Sequence, residues 1–560
     1  MRLCRGPEVK PRARIKAPGW DRARDCVMQM TPRIIWRSLI ISPIFKWIRP
    51  VVFWPPVILL LGALFFSLVD FGGFHATVTA ANNWILSHFD WLFSNASFAA
   101  VLLTAWVFFS PLGAVRIGGP KATPILSRWN WFAITLCTTI AIGILFWGTA
   151  EPMFHVNGPP DFTGVEPRSP EAARFALSSM FMHWTITPYA IYAVPALAFA
   201  LAHYNLGRPY SLSGPLSIMF GRAATGRNGA IIDAIGLYAL VAGVAASLGA
   251  GVMTLAGGLG AIAGLPDGAI LRLGVTVAIV ALFVTSSISG IQRGIKFLSD
   301  INIKFFIVLA MFVLIAGPTL PILSLGAESL VDYVVTFIPR SLALGARAGH
   351  EWTRSWTVFY FANWLAWAPI TALFLGRISV GYTVREFLMF NLVGPALFGG
   401  LWMTIFGGAA INVDAQTGGA LTNALNNNGP EAVIYALFEA LPFTSAVSAA
   451  FIVVTFISFV TAMDSNTHSI AGVCLKTNTP GGQQGKAALW VKVFWGALVG
   501  AIAFVMTSTT GIEGVRMLSN LGGLPGLFIL IAMGAVIIVM RVQWFDEIKA
   551  AAQPAPKNDQ

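Results

Sequence analysis

Twelve stretches of this chain are long and apolar enough to cross a bilayer, and few folds survive that constraint. A hydrocarbon core needs roughly 20 apolar residues in a helix. Such stretches fall near 52–70, 92–112, 128–149, 173–203, 229–262, 270–290, 302–324, 352–376, 385–410, 443–465, 487–508 and 517–541. The sequence therefore predicts an all-α polytopic membrane protein of about 12 transmembrane helices. The chain is 56% hydrophobic and only 11% charged, which argues against a soluble enzyme. The fifth stretch is too long for one straight crossing, and its glycines (Gly243, Gly249, Gly251, Gly257, Gly258) predict a tilt or a break. Segments 74–90 and 327–345 are amphipathic and are expected to lie along the membrane surface.

Charge sets the orientation. Of the 36 Lys and Arg, 12 stand in the first 50 residues. Beside a membrane, such an arm reads as a cytoplasmic segment facing anionic lipids of the bilayer. No aromatic residues are interleaved there as a nucleic-acid site would need. Further basic residues follow every second span: Arg116, Lys121 and Arg128; Arg208, Arg222 and Arg227; Arg293 and Lys296; Arg377 and Arg385; Lys476 and Lys486. All share a side with the arm, so both termini are expected in the cytoplasm, with the chain in a bacterial inner (plasma) membrane. The organisation expected is a basic arm (1–50), a membrane-spanning domain (51–541) and a short tail (542–560). That tail has mixed charge and is not expected to confer strong osmotic activation. The four cysteines (Cys4, Cys26, Cys137, Cys474) form no disulfide framework or metal spacing.

Two aromatic clusters interrupt this apolar background. In WTRSWTVFYFANWLAWAP (352–369), Trp356, Tyr360, Asn363 and Trp367 sit at helical offsets that share one face, with Trp364 on its shoulder. In HWTITPYAIYAV (183–194), Trp184, Tyr189 and Tyr192 flank Pro188, which removes a backbone donor and kinks a helix. Tryptophan normally marks the membrane interface rather than mid-span. Two readings compete: aromatic core packing, and a box whose ring faces attract a quaternary ammonium. A helix break at membrane depth is tolerated only against protein or a cavity, which favours the box.

The same segments carry a family likeness. FWGTAEP (146–152), HWTITPYAIYAV (183–194), IDAIGLYALVAGVAASLG (232–249), GIQRGIKFLSDIN (290–302), the Trp-rich span, RISVGYTVREF (377–387) and VTAMDS (460–465) occur in order. Together they resemble the betaine/choline/carnitine transporter family. The resemblance implies a LeuT-like core of two inverted five-helix repeats, about 128–324 and 352–541, with the first two spans peripheral. It implies a homotrimer, and alternating access around a midplane site for a betaine-, choline- or carnitine-type substrate. Carried over by motif, Trp184, Tyr189, Tyr192, Trp364 and Trp367 form the box, with Tyr360 and Asn363 on the substrate path. Trp356 guides substrate arriving from outside.

The chain departs from the family pattern where specificity and coupling are decided. Tyr189 and Asn363 stand where relatives usually carry tryptophan. Asn363 either meets a polar group of the substrate or is satisfied by neighbouring backbone. The glycine-rich unwound stretch of the third span survives as TIAIG (139–143), with Ala141 small and Gly143 retained. Sodium needs several oxygen ligands. Of four family hydroxyls, three are replaced, by Leu240, Val244 and Ala462, and Thr461 remains. With the Ile140 backbone, Thr461 and Ala462 are what is left of an ion site. Lys304 is either a tethered cation near that site or a lysine reaching for the interface. Sodium coupling is thus doubtful, and no other cofactor is implied. Glu151 and Asp464 read as helix-end charges and His183 as a hydrogen-bonded core histidine. No catalytic constellation emerges. The function expected is secondary transport of a betaine-like zwitterion or small quaternary amine. Sodium-independent exchange, proton coupling and a transport-dead sensor are the alternatives.

Overall fold

The computed structural model describes residues 45–139, 141–289, 291–476 and 481–550. Most of the basic arm, with Cys4 and Cys26, lies outside the described residues, as do Ile140 and the last ten residues. The helical bundle belongs to the second of two compact units, Arg49–Gln560. Among the described residues, eleven helices are long and apolar enough to cross a membrane, or twelve if a bent pair counts as one.

The first long helices are α1 (Pro50–Val69) and α2 (Phe71–Phe109). The bent pair is α3 (Arg128–Thr139) and α4 (Ala141–Asn157), set at 55°. Next come α5 (Pro170–Trp184), α6 (Ile186–Ala200), α7 (Gly226–Ala263), α8 (Ala269–Ser289), α9 (Ile291–Ala316) and α10 (Thr319–Ser341). A short turn (Glu351–Thr353) and a widened π turn (Arg354–Val358) lead into α11 (Phe359–Ile378). The bundle closes with α12 (Gly394–Gln416), α13 (Thr444–Cys474), α14 (Gly481–Thr509) and α15 (Ile512–Gln543).

Three expectations about the spans are revised. Segment 74–90 is no separate surface helix but the first half of the 39-residue α2, whose start is capped by Asp70 accepting from the Gly73 amide at 2.9 Å. Helix α7 is continuous over 38 residues. Its glycines act as contact surfaces: a Cβ on Gly251 would overlap the Phe459 ring, and one on Gly243 would stand 2.9 Å from Ala366 and Trp367. The number twelve is reached by a different membership. Helix α10 has the length and composition of a span, whereas the apolar part of α8 is only Ala269–Phe283.

Burial identifies the centre. The apolar windows of Pro170–Asn205 and Glu351–Ile378 are each 94% buried, and that of α7 is 72%. Those of α1, α2, α9 and α10 are the least buried, at 33%, 39%, 39% and 22%. Helices apolar on every side belong in the interior. The two aromatic clusters therefore ride on the two most enclosed segments.

Candidate functional site

The break between α5 and α6 organises the site. Pro188 has no N–H, and its ring would collide with the carbonyl four residues earlier, at Trp184. Helix α5 ends at Trp184, and Thr185 leaves helical geometry at φ −115°, ψ −116°. Helix α6 restarts at Ile186 with Pro188 in its first turn. The His183 carbonyl at this break accepts the indole N–H of Trp364 on α11 at 3.1 Å. The second close approach involves Gly143: a Cβ there would stand 2.5 Å from the Trp184 ring. Ala141 and Gly143 follow the 55° bend between α3 and α4, at the start of α4.

One small cavity, of about 30 Å³, lies at this junction. Its aromatic wall is Trp184, Tyr192, Trp364 and Trp367. Trp364 meets Trp184 at 5.4 Å between ring centroids and Tyr192 at 5.5 Å, both edge to face. Its polar wall is Thr138, Thr139, Ser247 and Asn363, with Gly143 and Ala462 completing the lining. Ser247 accepts the indole N–H of Trp367 at 3.1 Å. Thr138 donates to Ser465 at 3.0 Å, tying α3 to α13.

The predicted residues separate into layers. Trp184, Tyr192, Asn363, Trp364 and Trp367 line the cavity. Tyr189 and Tyr360 are fully buried behind it, 6.1 Å from the Trp364 ring and 5.2 Å from the Trp184 ring. Trp356 lies beyond Tyr360 (6.3 Å) and is covered by the Arg516 guanidinium, 4.5 Å from its ring centroid. Asn363 accepts from the Ser519 hydroxyl at 3.1 Å, so its partner is a side chain on α15 rather than backbone.

The ion-site residues disperse. Ala462 lines the cavity, while the Thr461 hydroxyl bonds within its own helix, to the carbonyls of Ile457 (3.2 Å) and Ser458 (2.9 Å). Ile140 lies outside the described residues. The Lys304 side chain is 62% exposed and pairs with Asp300 at 2.6 Å, away from the cavity lining. Leu240 and Val244 are buried and apolar.

The residue that sequence reasoning undervalued is Glu151. It is no helix-end charge: it is fully buried on α4. Its Oε2 accepts the Trp184 indole N–H at 2.7 Å. Its Oε1 lies 2.6 Å from His183 Nδ1 and 3.3 Å from His155 Nε2. His183 Nε2 in turn meets the Thr357 hydroxyl at 3.0 Å, so this histidine is engaged on both nitrogens. The three side chains offer ligand-type atoms within 4.8 Å of one another, a grouping that sequence spacing did not disclose. The one sequence signal was the i, i+4 pair Glu151–His155 on an otherwise apolar helix. Asp464 is likewise buried, paired with Lys492 at 3.5 Å rather than placed at a helix end.

Comparison with known proteins places the chain in a family. Residues 51–543 match the family described as BCCT, betaine/carnitine/choline family transporter. Glycine betaine transporter 1 of Vibrio parahaemolyticus is 35% identical over 82% of this chain and 87% of its own. Glycine betaine transporter OpuD of Bacillus subtilis is 31% identical, covering 89% and 96%. The ectoine/hydroxyectoine transporter of Virgibacillus pantothenticus is 31% identical, covering 86% and 95%. The ordered motifs, the helical bundle and these similarities converge: the chain is a multi-pass membrane protein and belongs to the betaine/carnitine/choline family of transporters.

Proposed function

We propose that this protein is a secondary transporter carrying a betaine-like zwitterion or small quaternary amine across the bacterial inner membrane by alternating access. The observation that carries the reading is the shared cavity of Trp184, Tyr192, Trp364 and Trp367. Ring faces attract a quaternary ammonium without hydrogen bonds, each by about 0.5–2 kcal/mol depending on desolvation. On the polar wall, the Ser247 hydroxyl and the Asn363 amide N–H offer the donors that a carboxylate needs. The relatives named for glycine betaine transport support the same substrate class.

A second substrate is favoured by one observation. Asn363 stands among the box aromatics and keeps its amide in the lining, which suits a solute with hydrogen-bonding groups near its cationic end. Ectoine is such a solute, and one relative carries its name. Coupling is read as weakly dependent on sodium, because Leu240, Val244 and Ala462 provide no side-chain oxygen.

The test is uptake of labelled glycine betaine, choline and ectoine into proteoliposomes. Wild type is expected to accumulate at least one of them. Trp364→Ala and Trp367→Ala should each lower uptake about tenfold or more. Uptake by both variants equal to wild type would refute the box.

A further inference from the structure

The cavity explains where a cation would sit, but not what balances its charge. Glu151 lies directly behind the aromatic wall, fully buried, and both of its oxygens are engaged. The group on Oε2 is an indole N–H, which can only donate. The groups on Oε1 are two imidazole nitrogens. An acceptor surrounded by donors is the hydrogen-bonding signature of an ionised carboxylate. Among the described residues it pairs with no lysine or arginine; its only ion-pair partners are His155 and His183. His155 Nδ1 is buried without a hydrogen-bond partner, so a second proton there would leave a buried donor unmatched. On His183, Nε2 can accept the Thr357 hydroxyl proton while Nδ1–H faces the carboxylate. With one proton on each imidazole, the cluster carries one negative charge beside the Trp184 ring.

We propose that Glu151 is the buried counter-charge of the aromatic site: it fixes the Trp184 ring and makes the cavity select a quaternary ammonium head over an uncharged carbon head of the same shape. Two effects act together. A carboxylate on the indole N–H draws the ring's electron density toward its face, and the net negative charge behind the wall attracts an ammonium directly. His155 and His183 are positioning residues, holding the carboxylate against Trp184. This proposal rests on the reading that the cavity takes a quaternary ammonium.

The experiment compares two ligands that differ only in that charge. Glycine betaine and 3,3-dimethylbutanoate share a shape and a carboxylate, but the second carries carbon in place of nitrogen. Dissociation constants for both are measured on purified wild type and on Glu151→Gln, which keeps the size of the side chain and removes its charge. Wild type should prefer glycine betaine. The variant should lose about tenfold or more of that preference, through weaker betaine binding with binding of 3,3-dimethylbutanoate not weakened. An unchanged preference overturns the proposal, and so does an equal loss for both ligands, which would mark a merely structural role. Should Glu151→Gln fail to fold, Trp184→Phe carries the test: it keeps the carboxylate and removes the N–H. It should narrow the preference, and no narrowing overturns the proposal. A wild type that binds both ligands alike would instead overturn the quaternary-ammonium reading itself.

Discussion

Gly143→Ala tests the packing that shapes the cavity. A Cβ at residue 143 would stand 2.5 Å from Trp184 Cη2 and 2.6 Å from Cζ3. Non-bonded carbons settle about 3.5–4.0 Å apart, so the ring must retreat by about 1 Å. It has little freedom to do so. Its nitrogen is held by Glu151 at 2.7 Å, and Tyr360 and Trp364 stand against it with centroids at 5.2 and 5.4 Å. Overpacking of this kind costs about 1–3 kcal/mol. The displaced ring is also a cavity wall, so betaine affinity should fall about tenfold, or 1.4 kcal/mol. Thermal unfolding of the purified protein reads the first effect, and quenching of intrinsic fluorescence by added ligand reads the second. The decisive control is Gly143→Ala combined with Trp184→Phe. Phenylalanine lacks the outer ring that carries Cη2 and Cζ3, so on that background the alanine should cost at least about 1 kcal/mol less stability. Wild-type stability and affinity in the single variant, or simple additivity in the double, would refute the argument.

Three further outcomes follow from other parts of the molecule. Asp464→Asn leaves the Lys492 ammonium buried without its partner and should destabilise by about 3–5 kcal/mol, while Asp464→Asn with Lys492→Met should recover most of this in thermal unfolding. Replacing sodium by potassium at constant ionic strength should change uptake by less than about twofold, and a stimulation of about tenfold by sodium would contradict the coupling reading. Deleting residues 542–560 should leave the dependence of uptake on osmolality unaltered; a steep response abolished by the deletion would count against this expectation.

Much of the fold was legible because membrane helices are written in composition. The buried centre announced itself through tryptophans in mid-span, and Pro188 foretold the break now found at Thr185. What remained hidden depends on distances along the chain that no local pattern encodes. Arg516 reaches Trp356 from 160 residues away, and Ser247 meets Trp367 from another helix. The shared face of Trp356, Tyr360 and Trp367 was correct as a direction but not as a depth: Trp184 fills the space in front of Tyr360. Glu151 was misread for a related reason. Judged by sequence it stands near the end of a span, whereas α4 continues to Asn157 and the neighbouring helices enclose it. In α7 the glycines admit neighbouring side chains, and the helix runs through them without a break.

The bond between the His183 carbonyl and the Trp364 indole joins a joint to a tool. A carbonyl recruited into a straight helix could no longer hold that ring, and Pro188 lacks the N–H that would reclaim the neighbouring carbonyl of Trp184. The indole thus fastens α11 to the break that ends α5, and on the other side of the cavity Thr138 and Ser465 fasten α3 to α13.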